Sequence, residues 1–398
     1  MPVWHKATRR WVKEGKLTLV GITQEQHPDR CRLFAQWQQF DWPILHDPID
    51  ATGPRAVPIV MAIDEHGIVR SVGPRVETFE DDFLNKKFSA PRSAPGAPAT
   101  TERPDLSRLH ERARKLNTAA AWRQHGDALV LWGGTDRNEL AIEAYSHSLQ
   151  MAQRDGDSHF RLGVCYRRRY ESRYREGGDF QRAIDEWNRA LEIDPNHYIW
   201  RRRIQQYGPR LIKPYPFYDW VEQAACEIRA RGETPVELAV YPSGAEIAQP
   251  ERQFQKAGPD ETAPDPSGRI HRDKSRLIEA EVVLVPPRIK PGESVRVHVS
   301  LRPSKALDAH WNNENELVKL WIEAPKNWDA DHRLMTAPPG NQPETSEPRS
   351  IEFELKSPED AQGTVRLSAY ALYYVCEGLN GTCLYLRQDI PIVVPFER

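Results

Sequence analysis

Missing from these 398 residues is any apolar run near the roughly 18 that a helix needs to cross a bilayer. Missing too is a basic stretch followed by an apolar h-region at the N-terminus, so as written the chain is expected to be cytoplasmic rather than exported. No charge sign dominates. Lys and Arg number 55 against 57 Asp and Glu, a formal net charge of −2, which argues for neither a nucleic-acid nor a membrane partner. Cysteine is scarce: Cys31, Cys165, Cys226, Cys376 and Cys383 are too few for a disulfide scaffold, and only the last two lie close together. What the chain does have is proline, 33 residues of it, which points to loop-rich β structure and at least one linker.

The length allows two or three domains, each with its own core. Residues 1–88 alternate helix and strand. An amphipathic helix with Val3, Trp4, Ala7, Trp11 and Val12 on one face runs into the apolar strand Leu17 to Ile22. A second helix starts near Pro28-Asp29 and carries Leu33, Phe34 and Trp37, with proline and an acid in their usual entry positions. DWPILHD is a short apolar segment, and PIVMAI-DEHG-IVRSV reads as a hairpin. A helix over Glu77–Lys87 closes the unit. Residues 89–104, rich in Pro, Ala and Ser without periodicity, read as a linker.

Residues 105–232 read as helical. Leu162, Gly163 and Tyr166 fall on one helix and Ala183, Trp187, Ala190 and Pro195 on the next. This spacing resembles a tetratricopeptide repeat, in which small residues let two helices approach closely. Gly126, Ala141 and Tyr145 repeat it more loosely. Two copies are few for a free-standing solenoid, so the repeats are expected to pack on a neighbouring domain. From 233 to 398 the period changes to two. ELAVYP, RLIEAEVVLVPP, SVRVHVSL, LVKLWIEAP, RSIEFELKS, TVRLSAYALYYV and CLYLRQDIPIVVPF read as seven strands of an immunoglobulin-like β-sandwich. Residues 249–275 read as a mobile polar loop.

LTLVGI followed by TQEQHPDR, and AVPIVMAIDEHGIVRSVG, resemble a thioredoxin-like redoxin domain of the peroxiredoxin and TlpA type. The resemblance implies that Pro58 is cis. It also implies that MPVW is the interior of the helix opened by the redox motif, so one strand and the Cys-x-x-Cys would lie before Met1. The expectation is therefore an incomplete thioredoxin-like fold. Either the start is misassigned and a signal for export lost with it, or a degenerate module is kept for binding. HWNNENELVKLWIEAPKNW and YALYYVCEGLNGTCLYLRQDIPIVV resemble the β-domain that follows thioredoxin-like modules, and more distantly the amino-terminal domain of DsbD proteins. That likeness implies electron relay by Cys376 and Cys383, although the Cys-x6-Cys spacing is one residue longer than expected.

Cys376 and Cys383 flank EGLNGT, and a hairpin with Asn380-Gly381 in its turn would bring them opposite each other. A redox pair, a structural disulfide and a reduced pair all stand open. Zinc is disfavoured because a four-ligand site needs a second pair of ligands. Cys31, near the start of the second helix, is a weaker redox candidate than a semi-buried helix cysteine. His46-Asp47 and Asp64-Glu65-His66 read as surface loops, so no metal or cofactor is expected. The runs Arg167–Arg169 and Arg201–Arg203, set among aromatics, suit an interface between repeats and sandwich or a groove for an acidic peptide.

The reading is a multidomain α/β plus α plus β chain of the thioredoxin-like thiol-disulfide oxidoreductase or antioxidant family, lacking the N-terminal motif. The alternative is a non-enzymatic adaptor whose repeats bind a protein or peptide. A thiol redox partner belongs to the first.

Overall fold

The computed structural model describes residues 2–54, 57–90, 103–210, 218, 220–243, 246–247, 254, 256–258, 261–378 and 381–397. Helices and antiparallel sheets both occur, so the class is mixed α/β. Contacts divide the chain into two units. The first is Met1–Arg175, Asp185–Arg203 and Tyr218–Pro242; the second is Glu176–Ile184, Ile204–Phe217 and Ser243–Arg398. Most of the 89–104 linker, and Tyr215 and Phe217 of the aromatic segment, lie outside the described residues. No described helix is long and apolar enough to cross a membrane.

Unit 1 opens with α1 (Pro2–Lys13), β1 (Gly21–Thr23), α2 (Pro28–Trp37) and β2 (Ile44–His46), the two strands pairing in parallel. β3 (Met61–Ile63) and β4 (Val69–Val72) form a separate antiparallel hairpin. Its turn is held by the Asp64 carboxylate, which accepts from the amides of His66 and Ile68 and from Arg70 Nε. Trp11, Ala62, Phe79 and Phe83 form a small core, with Trp4 and Leu17 against it. The Leu17–Ile22 strand pairs only over its last residues, and with β2. β1 and β3 share no ladder, and Val20, Ile22, Leu45, Met61, Ile63, Val69 and Val72 are exposed. The Val57–Pro58 bond is cis. The closing helix is shorter than expected, a π-helical turn over Glu80–Leu84, because only Phe79, Phe83 and Leu84 anchor it.

Seven further helices follow: α3 (Leu106–Leu116), α4 (Ala119–Trp132), α5 (Asn138–Met151), α6 (Gly156–Tyr170), α7 (Asp179–Ile193), α8 (Tyr198–Gln205) and α9 (Trp220–Ala230). Asp105 and Thr118 cap α3 and α4 by accepting backbone amides of the first turn. Small residues permit close crossings. A Cβ on Gly126 would stand 2.7 Å from the Tyr145 ring, and one on Gly156 equally near the Trp200 ring.

Several arginines of the two runs, together with Arg161, have their partners inside unit 1. Within unit 1, Arg203 donates to the carbonyls of Gln24 at 2.7 Å and Pro48 at 3.3 Å and to the Gln26 side chain. Arg161 holds both Asp127 oxygens, at 3.1 and 3.0 Å, and the Ile49 carbonyl at 3.1 Å. Arg167 pairs with Glu171 and Arg169 with Glu139. Arg203 and Arg161 seat residues 24–50 on the helices, and Trp37 stacked on Trp220 at 6.0 Å extends the contact. The stretch ELAVYP is not a strand. It runs as coil beside α2, and its Val240 carbonyl accepts from Arg30 instead of from a ladder partner.

Unit 2 holds two antiparallel sheets. One contains β5 (Ile278–Val285), β6 (Ser294–Pro303), β12 (Arg349–Lys356) and β9 (Asp329–Ala330) in that order. The other contains β10 (Leu334–Ala337), β8 (Val318–Glu323), β13 (Thr364–Glu377), β7 (Ala309–Asn312) and β11 (Glu344–Thr345), with β14 (Cys383–Pro395) along the other edge of β13. Val297, Val299, Phe353 and Leu355 from the first meet Trp311, Leu320, Tyr373 and Ile392 from the second in one core. Alternation along β6 sends Arg296, His298 and Ser300 to the opposite face, where they are nonetheless buried. Phe180 and Tyr207 pack there, and Arg296 pairs with Glu352 at 2.6 Å and Glu354 at 3.2 Å. The described part of 249–275 is not a free loop: Asp273 N donates to the Arg387 carbonyl, and Asp265 pairs with Arg387 at 3.0 Å.

Candidate functional site

The long hairpin of β13 and β14 pairs without a slip from Thr364 with Pro395 to Cys376 with Cys383. A period of two puts Leu367, Ala369, Ala371, Tyr373 and Val375 in the core between the sheets. Tyr370, Leu372, Tyr374 and Cys376 therefore share the outer face, and their partners on β14 share it with them. At its end Cys376 and Cys383 form a disulfide, with a Cα separation of 4.0 Å.

The two sulfurs differ in surroundings. Cys376 lies on a strand flanked on both sides and is 1% exposed, whereas Cys383 is exposed on β14. At Cys383 and Leu384, β14 pairs with no strand but β13 among the described residues. On the opposite side of Cys376 stands β7, where register sets His310 directly across from it. His310 Nε2 lies 3.5 Å from Glu344 on β11. Two residues further along the same face, Tyr374 and Tyr385 are in ring contact at 4.5 Å. Burial first, and then the Glu316 carboxylate, push the Tyr385 hydroxyl up to about 12, so it is a neutral phenol at ordinary pH. Gly378 takes a left-handed φ of +65° as the chain leaves β13; Asn380, expected in the turn, lies outside the described residues.

The other candidates are elsewhere. Cys31, on α2 in unit 1, is partly buried, and burial pushes its thiol up against a hydrogen bond with Thr23 that lowers it. Cys165 is buried and pushed up to about 12. Both shifts oppose the thiolate that a nucleophilic cysteine needs. Pro58 belongs to unit 1 and the disulfide to unit 2. His46 Nε2 donates to the Glu25 carbonyl at 2.8 Å, while Asp47 accepts from the amides of Ala51 and Thr52. No group of three or more His, Cys, Asp or Glu side chains able to hold a metal occurs among the described residues.

Sequence reasoning found the cysteine pair because both members sit on one hairpin. It missed His310 and Glu344, which reach the site from other strands. Neither lies in a segment read as a strand, and the register that joins them to the site is specified by no local pattern.

No protein-family model matches the chain, and no curated protein sequence matches it. Among solved structures there is similarity to AvmM, which catalyses macrocyclization in alchivemycin A biosynthesis. The match has 11% identity and a TM-score of 0.19, over 32% of this chain and 95% of that one. The sporulation control protein Spo0M of Bacillus subtilis is similar at 13% identity and a TM-score of 0.17, over 31% and 50%. The Pseudomonas fluorescens alkylpurine DNA glycosylase AlkC, bound to DNA containing an abasic site analogue, is similar at 10% identity and a TM-score of 0.16, over 73% and 81%. Scores this low carry no argument about this chain.

Proposed function

We propose that the chain is a thiol-disulfide exchange protein whose redox pair is Cys376 and Cys383. In this reading the pair is carried by an immunoglobulin-like sandwich, in a chain that also carries a tetratricopeptide-like helical region and a thioredoxin-like module. The observation that carries the proposal is the disulfide's asymmetry: one sulfur exposed on an edge strand, the other buried between two strands. Exchange needs a thiolate to reach one sulfur in line with the bond while the other departs. Cys383 offers that approach and Cys376 offers a sheltered leaving group. A purely structural disulfide gains nothing from having one sulfur open to attack.

The thioredoxin-like assignment of residues 1–88 is supported by the parallel β1–β2 pair and the β3–β4 hairpin. Its one thiol, Cys31, is raised by burial, which favours the Cys376–Cys383 pair over it as the exchanging group. The tetratricopeptide-like assignment is supported by helix pairs that meet at Gly126 and Gly156.

Trapping tests the reading. With Cys376→Ser, glutathione disulfide is expected to leave one glutathionyl group on Cys383 of the folded chain. With Cys383→Ser, Cys376 is expected to take up none within the same time. Equal labelling of the two would contradict the assignment of Cys383 as the entry point.

A further inference from the structure

Exchange at Cys383 leaves an electron pair on Cys376 Sγ, in a place almost closed to water. Bulk solvent is poorly placed to deliver a proton there, and a bare thiolate buried without a partner is costly. The residue set opposite Cys376 is His310. Directly opposed residues of antiparallel strands point to one face with their Cβ atoms about 4.5–5.5 Å apart, so His310 and Cys376 share one face as neighbours. His310 is itself only partly open to solvent, with its side chain 15% exposed, and faces Glu344 at 3.5 Å. The ionisable side chains nearest to it in register on β13 and β14 are Tyr374 and Tyr385, with Asp308 and Glu377 at the strand ends; Arg366, Tyr370, Tyr373, Arg387 and Asp389 lie further along those strands.

We infer that His310 is the proton donor of the exchange: set across from Cys376, its imidazolium gives up the proton that the departing sulfur takes. The inference rests on the reading of Cys376–Cys383 as an exchange site, and its reductant is a dithiol. One sulfur of the dithiol, as thiolate, attacks Cys383 Sγ. A bond forms between those two sulfurs, the Cys376–Cys383 bond breaks, and the electron pair goes to Cys376 Sγ. That sulfur takes the proton from His310, which regains one from solvent. The dithiol's second sulfur then displaces Cys383, which leaves as a thiol after protonation. Two electrons have passed, the dithiol is a disulfide, and Cys376 and Cys383 are thiols. Glu344 faces the imidazole at 3.5 Å.

The test is the pH profile of reduction. The full chain is reduced with dithiothreitol from about pH 5.5 to about pH 8.5, across the ordinary imidazole range. Thiols are counted by alkylation and mass, and each rate is divided by the dithiothreitol thiolate concentration. The normalised rate of the native chain is expected to fall by about tenfold as the imidazole loses its proton. With His310→Gln the normalised rate stays flat at the lower level. With Glu344→Gln the fall moves to lower pH; that carboxylate is 64% exposed, so this variant serves even if the first does not fold. A merely structural His310 would scale the rate equally at every pH, and parallel profiles for native and His310→Gln overturn the inference while leaving exchange intact. A native chain not reduced at any pH without unfolding overturns both.

Discussion

The Arg203 guanidinium donates to the Gln24 carbonyl at 2.7 Å from a position 3% exposed. It also reaches the Pro48 carbonyl and the Gln26 side chain, so one buried cation closes three acceptors of residues 24–48. Hydrogen bonds to a charged group are worth about 1.5–3 kcal/mol each, and acceptors left dry cost more than bonds never made. Arg203→Ala is therefore expected to destabilise unit 1 by roughly 3 kcal/mol or more. Urea unfolding followed by tryptophan fluorescence checks it, and a loss under about 0.5 kcal/mol would mean the contact is incidental.

Close by, Asp50 is buried, accepts from Gln24 Nε2, and lies 3.5 Å from His197. Burial, and then the Asp47 charge, raise its carboxyl to about 7, against the Arg161 charge that lowers it. A carboxyl raised in the folded state binds more protons there than in the unfolded chain, whose value is about 3.9. Its contribution to stability thus falls as pH rises from about 4 to about 7, by at most roughly 4 kcal/mol. Asp50→Asn is expected to flatten that part of the stability-pH curve and to stabilise the chain above neutrality. Identical curves for the two proteins, measured by urea unfolding at each pH, would show the carboxyl to be unshifted.

Gly126 supplies a test in which two effects oppose each other. In a helix interior, Gly→Ala ordinarily stabilises by about 0.8–1 kcal/mol. Here the new Cβ would meet the ring of Tyr145, which is fully buried and bonded through its hydroxyl to Asp127, at 2.7 Å. Overpacking of that kind costs about 1–3 kcal/mol, so the net sign is expected to be destabilising. Thermal unfolding decides it, and a raised melting temperature would mean that α4 and α5 separate easily.

Much of this was legible in the sequence, and what was not has physical causes. The hairpin of β13 and β14 was readable because alternation runs unbroken on both flanks of the turn. The α4–α5 crossing showed in the spacing of Gly126, Ala141 and Tyr145. ELAVYP misled because apolar alternation records burial, not pairing, and its Val240 carbonyl is taken by a side chain. The partner of Arg203 was hidden for a different reason: a cation among aromatics declares that it needs acceptors, not which ones. His310 escaped because its relation to Cys376 exists only through the β7–β13 register, which is set by contacts far apart in the chain.

The disulfide also bears on stability. It closes a loop with a sequence separation of 7. On the chain-entropy account that is worth about 2.5 kcal/mol. Replacing both cysteines by Ser is expected to lower the stability of unit 2 by that order, with the sandwich core still assembled, since Trp311, Tyr373 and Val375 lie on the other face. Loss of the fold altogether, read by circular dichroism, would mark the bond as a structural requirement.

The most direct measurement equilibrates the full, folded chain in glutathione buffers of graded redox poise and counts thiols by alkylation and mass, with circular dichroism on the same samples. Expected is a single reversible transition that gains two alkylated thiols, at Cys376 and Cys383, while the circular dichroism spectrum stays that of the folded protein. A disulfide that persists through every buffer until the protein unfolds would contradict exchange at this site and leave the pair a structural staple.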